Sequence, residues 1–137
     1  MRNRQSTILV VDDNAINLNL VSYLLEFEGY QIITATDAEE VQVVVQRSPP
    51  DLILMDIALP DMDGLTLTRK LKADKKTAHI LIVALTASAM KGDDQKALAA
   101  GCDGYITKPI DTRELAGQIA ELLRHAANKE VILEEKH

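Results

Sequence analysis

Five short runs of β-branched or aliphatic residues recur along the chain, each followed by a segment with helical spacing and a turn signal. That alternation is the pattern of a parallel α/β domain. The first run, Thr7-Ile8-Leu9-Val10-Val11, stops at Asp12-Asp13-Asn14. Helical spacing follows, with apolar residues at Ile16, Leu20, Leu24 and Phe27, and Gly29 closes the helix as a left-handed residue. Gln31 to Ala35 makes a second strand. Asp37-x-x-Glu40 reads as a cap pair opening a helix to about Arg47, although Val41, Val43, Val44 and Val45 are mediocre helix formers, and Pro49-Pro50 stops it. Asp51-Leu52-Ile53-Leu54-Met55-Asp56 is nearly continuous in apolar residues between its two acids, as expected of a central strand covered on both faces. After a loop from Ile57 to Asp63, Gly64 to about Ala73 is helical, and His79 to Leu85 is a fourth buried strand ending at Thr86. A helix from about Met90 to Ala100 ends at Gly101. Gly104-Tyr105-Ile106 is a short fifth strand before Lys108-Pro109, and Asp111-x-x-Glu114 caps a last amphipathic helix bearing Leu115, Ile119, Leu122 and Leu123. The reading is (βα)₅: a lead over 1–6, one domain over 7–125, and an extension over 126–137 that prolongs the last helix or frays.

Composition narrows the classes. At 137 residues the chain holds one domain, and with aromatics at only 3% its core must be aliphatic. Fifteen Lys and Arg against 21 Asp and Glu give a net charge of -6, which argues against direct nucleic-acid binding and against an anionic membrane surface. Cys102 is the one cysteine and has no internal disulfide partner, while His79, His125 and His137 make no zinc-ligand spacing. The N-terminus leads into only five apolar-leaning residues before Asp12, too few for a signal sequence or a membrane span. A soluble cytoplasmic protein is expected.

Right-handed crossovers put the C-terminal ends of parallel strands on one edge of the sheet, where ligands of such sheets bind. Asp12 and Asp13 end the first strand, Asp56 the third and Thr86 the fourth, and Lys108 follows the fifth. Three carboxylates held together repel one another unless a cation compensates, so a hard divalent ion is implied. Mg²⁺ suits an open acidic edge, because it takes one or two protein carboxylates, keeps waters and completes its shell with phosphate oxygens. That points to phosphoryl chemistry, with Asp56 the natural nucleophile because it leaves the central strand between the flanking partners.

The residues Val10-Val11-Asp12-Asp13-Asn14, Leu52-Ile53-Leu54-Met55-Asp56, Pro60-x-Met62-Asp63-Gly64, Leu85-Thr86-Ala87 and Tyr105-Ile106-Thr107-Lys108-Pro109 carry a resemblance. From residue 7 to about 125 the chain resembles response-regulator receiver domains of two-component signalling, the single-domain CheY-like type. The resemblance implies a flavodoxin-like, doubly wound parallel sheet in strand order 2-1-3-4-5. It implies that Asp56 accepts phosphate from a histidine, and that Asp13 and Asp56 bind Mg²⁺ (or Mn²⁺) with the Ala58 backbone carbonyl, Asp12 helping through water. Thr86 and Lys108 would hold the phosphoryl oxygens, and the Lys108-Pro109 peptide would be cis. The resemblance also implies that on phosphorylation Thr86 moves toward the phosphoryl group, Tyr105 turns inward, and the face of the fourth helix, fifth strand and fifth helix changes shape for a downstream effector. The implied donor is a histidine kinase or histidine phosphotransfer protein, docking near Asn14 to Asn17 and the Pro60 and Pro109 loops. A monomer or weak dimer is expected. Ala58 and Ser88, two residues beyond Asp56 and Thr86, carry no amide or carboxylate to orient a water, so self-hydrolysis is expected to be slow. The segment Ala87 to Asp93 resembles that of cell-cycle single-domain regulators and of hybrid-kinase receivers.

Taken singly, these residues have structural readings. Asp12 and Asp13 suit helix caps, Asp56 a turn, and Thr86 a strand-end hydroxyl. Asp61 and Asp63 read as loop and cap, Tyr105 as half-buried packing and Cys102 as a small buried apolar residue. His79 reads as a surface residue and Lys72-Ala73-Asp74-Lys75-Lys76 as a solvated helix end. Two functional alternatives compete with the switch: a Mg²⁺-dependent phosphohydrolase using Asp56 on external esters, and a docking module that is never phosphorylated. The first needs a second acid–base group and a lidded pocket, neither evident here.

Overall fold

The computed structural model describes residues 6–87 and 93–135. Five strands alternate with five helices: β1 (Thr7–Val11), α1 (Ala15–Phe27), β2 (Gln31–Ala35), α2 (Ala38–Arg47), β3 (Leu52–Asp56), α3 (Gly64–Ala73), β4 (Leu81–Thr86), α4 (Asp93–Ala99), β5 (Gly104–Thr107) and α5 (Leu115–Glu135). The strands form one parallel sheet in the order β2-β1-β3-β4-β5, the flavodoxin-like arrangement. Strand order reverses beside β1, so the C-terminal ends of β1 and β3 flank the crevice where such sheets take ligands.

Alternation along each strand divides the core in two. Leu9, Val11, Ile53, Met55, Ile82 and Ala84 pack with Val41 and Val45 of α2 and Leu67 and Leu71 of α3. Ile8, Val10, Leu52, Leu54, Val83 and Leu85 pack with Leu18, Val21 and Leu25 of α1 and Leu115 and Ile119 of α5. Every residue of β3 is buried, which explains why its sequence is nearly all apolar.

Local chemistry sets the helix ends. Asn14 caps α1, its side-chain oxygen accepting from the amides of Ile16 and Asn17. At the other end Gly29 takes φ 101°, with Tyr30 N–H donating to Leu25 O and Gly29 N–H to Glu26 O, a Schellman closure. Asp37 caps α2 through the Glu40 amide, but the Glu40 carboxylate reaches back to the Thr36 amide rather than to Asp37. Gly64 opens α3 under the end of β3, where a Cβ would stand 2.6 Å from Asp56 O and 2.8 Å from Ile57 Cα. Only glycine permits that approach.

Four expectations change. The α1 positions Ile16, Leu20 and Phe27 face solvent, and Leu18, Val21 and Leu25 are the buried ones. α1 carries apolar side chains nearly all round, so periodicity located the helix without choosing its inner face. His79 is exposed and precedes β4, which starts at Leu81 because the residues before it form a turn, Ile80 N–H donating to Thr77 O at 3.1 Å, with Lys72 Nζ on the carbonyls of Ala78 and Ile80 at 3.2 and 2.7 Å. Lys72 is therefore not part of a solvated helix end: it also pairs with Asp103 at 3.0 Å, tying α3 to the turn before β5. β5 runs one residue further than expected, to Thr107. The expected first turn of α4 falls partly outside the described residues, and α5 continues to Glu135. No described helix is long and apolar enough to cross a membrane.

Candidate functional site

β1 delivers Asp12 and Asp13 to the sheet edge. Asp12 is buried, its amide still paired with Ala35 O at 3.1 Å, while Asp13 is exposed. β3 ends on Asp56, only 4% exposed. Its Oδ1 accepts from the Ala58 amide at 3.0 Å and its Oδ2 from Lys108 Nζ at 3.1 Å. Lys108 is brought there by the segment after β5: its amide donates to Thr86 O at 2.7 Å, and the peptide to Pro109 is cis. Thr86 closes β4 and is buried. Asp12, Asp13, Asp56, Ala58, Thr86 and Lys108 all line one open cleft of about 530 Å³.

The charges in this cleft do not cancel. Burial pushes the Asp56 carboxyl above its ordinary range, with the Asp12 charge adding to the effect and the Ala58 amide and Lys108 opposing it. For Lys108, burial works against the charged form, yet hydrogen bonding and attraction from Asp56 and Asp12 raise its pKa overall. One oxygen from each of Asp12, Asp13 and Asp56 lies within 4.8 Å of the others. Asp12 Oδ2 is buried, and its nearest compensating group is Lys108 Nζ, 3.4 Å away at ion-pairing distance with no close hydrogen bond. A buried carboxylate oxygen without a close hydrogen bond, beside two further carboxylates, is a donor set suited to a hard divalent cation. The residues present fit the implied Mg²⁺.

The other sequence-derived residues lie elsewhere. Tyr105 stands on β5 with 40% of its surface exposed, outside the cleft lining. Ser88 lies outside the described residues. Cys102 is buried against Thr68, and burial raises its thiol, in keeping with a core role. Asp63 caps α3 through the Leu65 amide. Asp61 lies in the loop as expected, and its two oxygens accept from the amides of Ala38 and Glu39 at the start of α2. Its partners lie more than twenty residues upstream, so no local motif marks it. Beside the acidic cleft, Asn17, Leu20, Lys108, Pro109 and Ile110 border a second hollow of about 400 Å³. The exposed Ile16, Leu20, Tyr23 and Phe27 continue it as an apolar stripe along α1.

Comparison with known proteins gives a consistent result. The family model described as response regulator receiver domain matches residues 8–120. The polar-differentiation response regulator DivK of Brucella ovis is 39% identical over 120 residues, covering 88% of this chain and 98% of that protein. Among solved structures, a CheY-like receiver domain protein from Methanospirillum hungatei is 34% identical with a TM-score of 0.83, covering 91% of this chain and 98% of its own. The chemotaxis response regulator CheY4 of Vibrio cholerae is 25% identical with a TM-score of 0.82, covering 86% and 98%.

Proposed function

This chain belongs to the response regulator receiver domain family, and on that premise we propose that it is a phosphorylation-driven switch whose acceptor is Asp56. The observation that carries the reading is the buried Asp56 carboxylate at the end of the central strand, with Asp12 and Asp13 beside it and Lys108 on one of its oxygens. Asp13, Asp56 and the Ala58 carbonyl would hold Mg²⁺ or Mn²⁺, with Asp12 helping through water, and such an ion would supply charge compensation at the phosphoryl oxygens.

An Asp56 oxygen attacks the phosphorus of a phosphohistidine; the P–N bond breaks and its electron pair returns to the imidazole nitrogen. Lys108 and Thr86 supply hydrogen bonds to the transferred phosphoryl oxygens. The burial of Asp56 keeps bulk water from competing, and Ala58 carries no amide or carboxylate to orient a hydrolytic water, so the acyl phosphate is long-lived. Thr86 and Tyr105 then bias the α4-β5-α5 face between two shapes, read by a protein effector. The donor is a histidine kinase or histidine phosphotransfer protein, and the hollow at Asn17, Pro109 and Ile110 with the apolar α1 stripe supports docking at the cleft rim. The working unit is a cytoplasmic receiver domain over 7–125, monomeric or weakly dimeric, with 126–137 as an extension.

Phosphoramidate, a small donor with a P–N bond, tests the reading. With Mg²⁺, about one phosphate per chain should be taken up and then released slowly, and neither step should occur in Asp56→Asn. Sustained phosphate release from many esters over multiple turnovers would instead favour a hydrolase.

A further inference from the structure

The loop 57–63 joins β3 to α3 and carries Ala58. Its two ends are fixed by backbone hydrogen bonds: Ile57 N–H to Leu85 O at 3.1 Å, and Gly64 N–H to Ile57 O at 2.8 Å. Between them Ala58, Pro60 and Asp61 are exposed, while Leu59 packs into the core and Met62 is half-buried. Asp61 links the loop to α2, Oδ1 accepting from Ala38 N–H at 2.9 Å and Oδ2 from Glu39 N–H at 3.2 Å. Both amides are among those a helix start leaves without internal partners, and the positive end of the α2 dipole favours the carboxylate. The Ala38 amide is the main reason the Asp61 carboxyl lies below the ordinary aspartate range. α2 does not need Asp61 to begin, because Asp37 already caps it through the Glu40 amide. The helix is also seated by Val41 and Val45 in the core, so its first turn is a firm anchor.

We propose that Asp61 is a positioning residue for the acceptor site: by fastening the loop to α2 it holds the Ala58 carbonyl and amide in place beside Asp56. The proposal rests on the reading of that site as a Mg²⁺-binding phosphoacceptor. Ala58 is joined to Asp61 by two intervening residues, and its amide already donates to Asp56 Oδ1. A loop released from α2 therefore loosens both the metal-ligating carbonyl and one hydrogen bond to the nucleophile.

The test compares Asp61→Ala with Asp37→Ala, which removes a carboxylate from the same helix end without touching the loop. Mg²⁺ affinity is measured by titration, amide hydrogen exchange of 57–61 is followed in metal-free protein, and melting is recorded for both. Asp61→Ala should weaken Mg²⁺ binding about tenfold and speed exchange of the loop amides to a similar degree. Asp37→Ala should lower the melting temperature while leaving affinity within about twofold of wild type. Asp61→Asn, which keeps one acceptor oxygen, should fall between. Equal affinity losses in the two alanine variants, or wild-type affinity and exchange in Asp61→Ala, would overturn the proposal. Wild-type protein that binds no Mg²⁺ would instead overturn the site reading on which it rests.

Discussion

Replacing Asp13 by Asn should stabilise the protein without metal and remove most of its stabilisation by Mg²⁺. Asp13 is the exposed member of the carboxylate triad, and Lys108 forms ion pairs with Asp12 and Asp56 but not with it. At the 4.8 Å limit separating these oxygens, one pair of like charges repels by about 0.9 kcal/mol in water-like surroundings and about 3.5 kcal/mol at an effective dielectric near 20. Exposure places Asp13 near the screened end of that range, and Asp12 and Asp56 both act on it. Relief of roughly 1–2 kcal/mol is expected once Asn keeps the shape and removes the charge. For a chain of 137 residues that raises the melting temperature by about 3–7 °C in chelator. Saturating Mg²⁺, at about a hundred times its dissociation constant, adds about 2.7 kcal/mol to the wild type. Asp13→Asn should show less than a third of that gain. Calorimetric melts of both proteins, with chelator and with Mg²⁺, provide the assay. A variant that melts at or below the wild type in chelator, or that keeps the full Mg²⁺ gain, would refute the charge-repulsion argument.

Other consequences follow from single contacts. Gly64→Ala sets a Cβ against the backbone of Asp56 and Ile57, so urea unfolding should show a loss of about 1–3 kcal/mol, and an unchanged midpoint would contradict the close approach. Lys72→Met strips two carbonyls and Asp103 of a charged donor, and a loss of about 2–3 kcal/mol is expected in the same assay. Because burial raises the folded-state pKa of Asp56, the native state binds that proton more tightly than the unfolded chain does. Metal-free stability should therefore fall as pH rises from the ordinary aspartate range through the raised value. Asp56→Asn should remove that part of the slope when urea melts are compared between about pH 4 and 7; identical slopes would contradict it.

Much of the architecture is legible because its signals are local. The bounds of β1, β2, α2 and α3 follow from apolar runs, from Asp37 and Asp63 as caps, and from proline and glycine stops. The strand order is not legible from local pattern and rests on the family resemblance, since five βα units admit several orders and only long-range pairing selects one. α1 shows the limit of periodicity: it is apolar on most sides, and packing on the sheet, not spacing, decided that Leu18, Val21 and Leu25 turn inward. The long-range contacts of Lys72 and of the loop acid Asp61 are invisible in the sequence for a common reason. Their partners lie on other elements, so neither carries a sequence signature, and charged residues beside turns read as solvated. The cleft residues are legible because each ends or follows a strand, and a parallel sheet brings those ends to one edge.

Intact-mass spectrometry after incubation with acetyl phosphate, with and without Mg²⁺, tests the central claim most directly. A single phosphoryl adduct that requires Mg²⁺ and is absent from Asp56→Asn is the predicted result. An adduct that persists in Asp56→Asn, or no adduct in wild-type protein shown by titration to bind Mg²⁺, would contradict it.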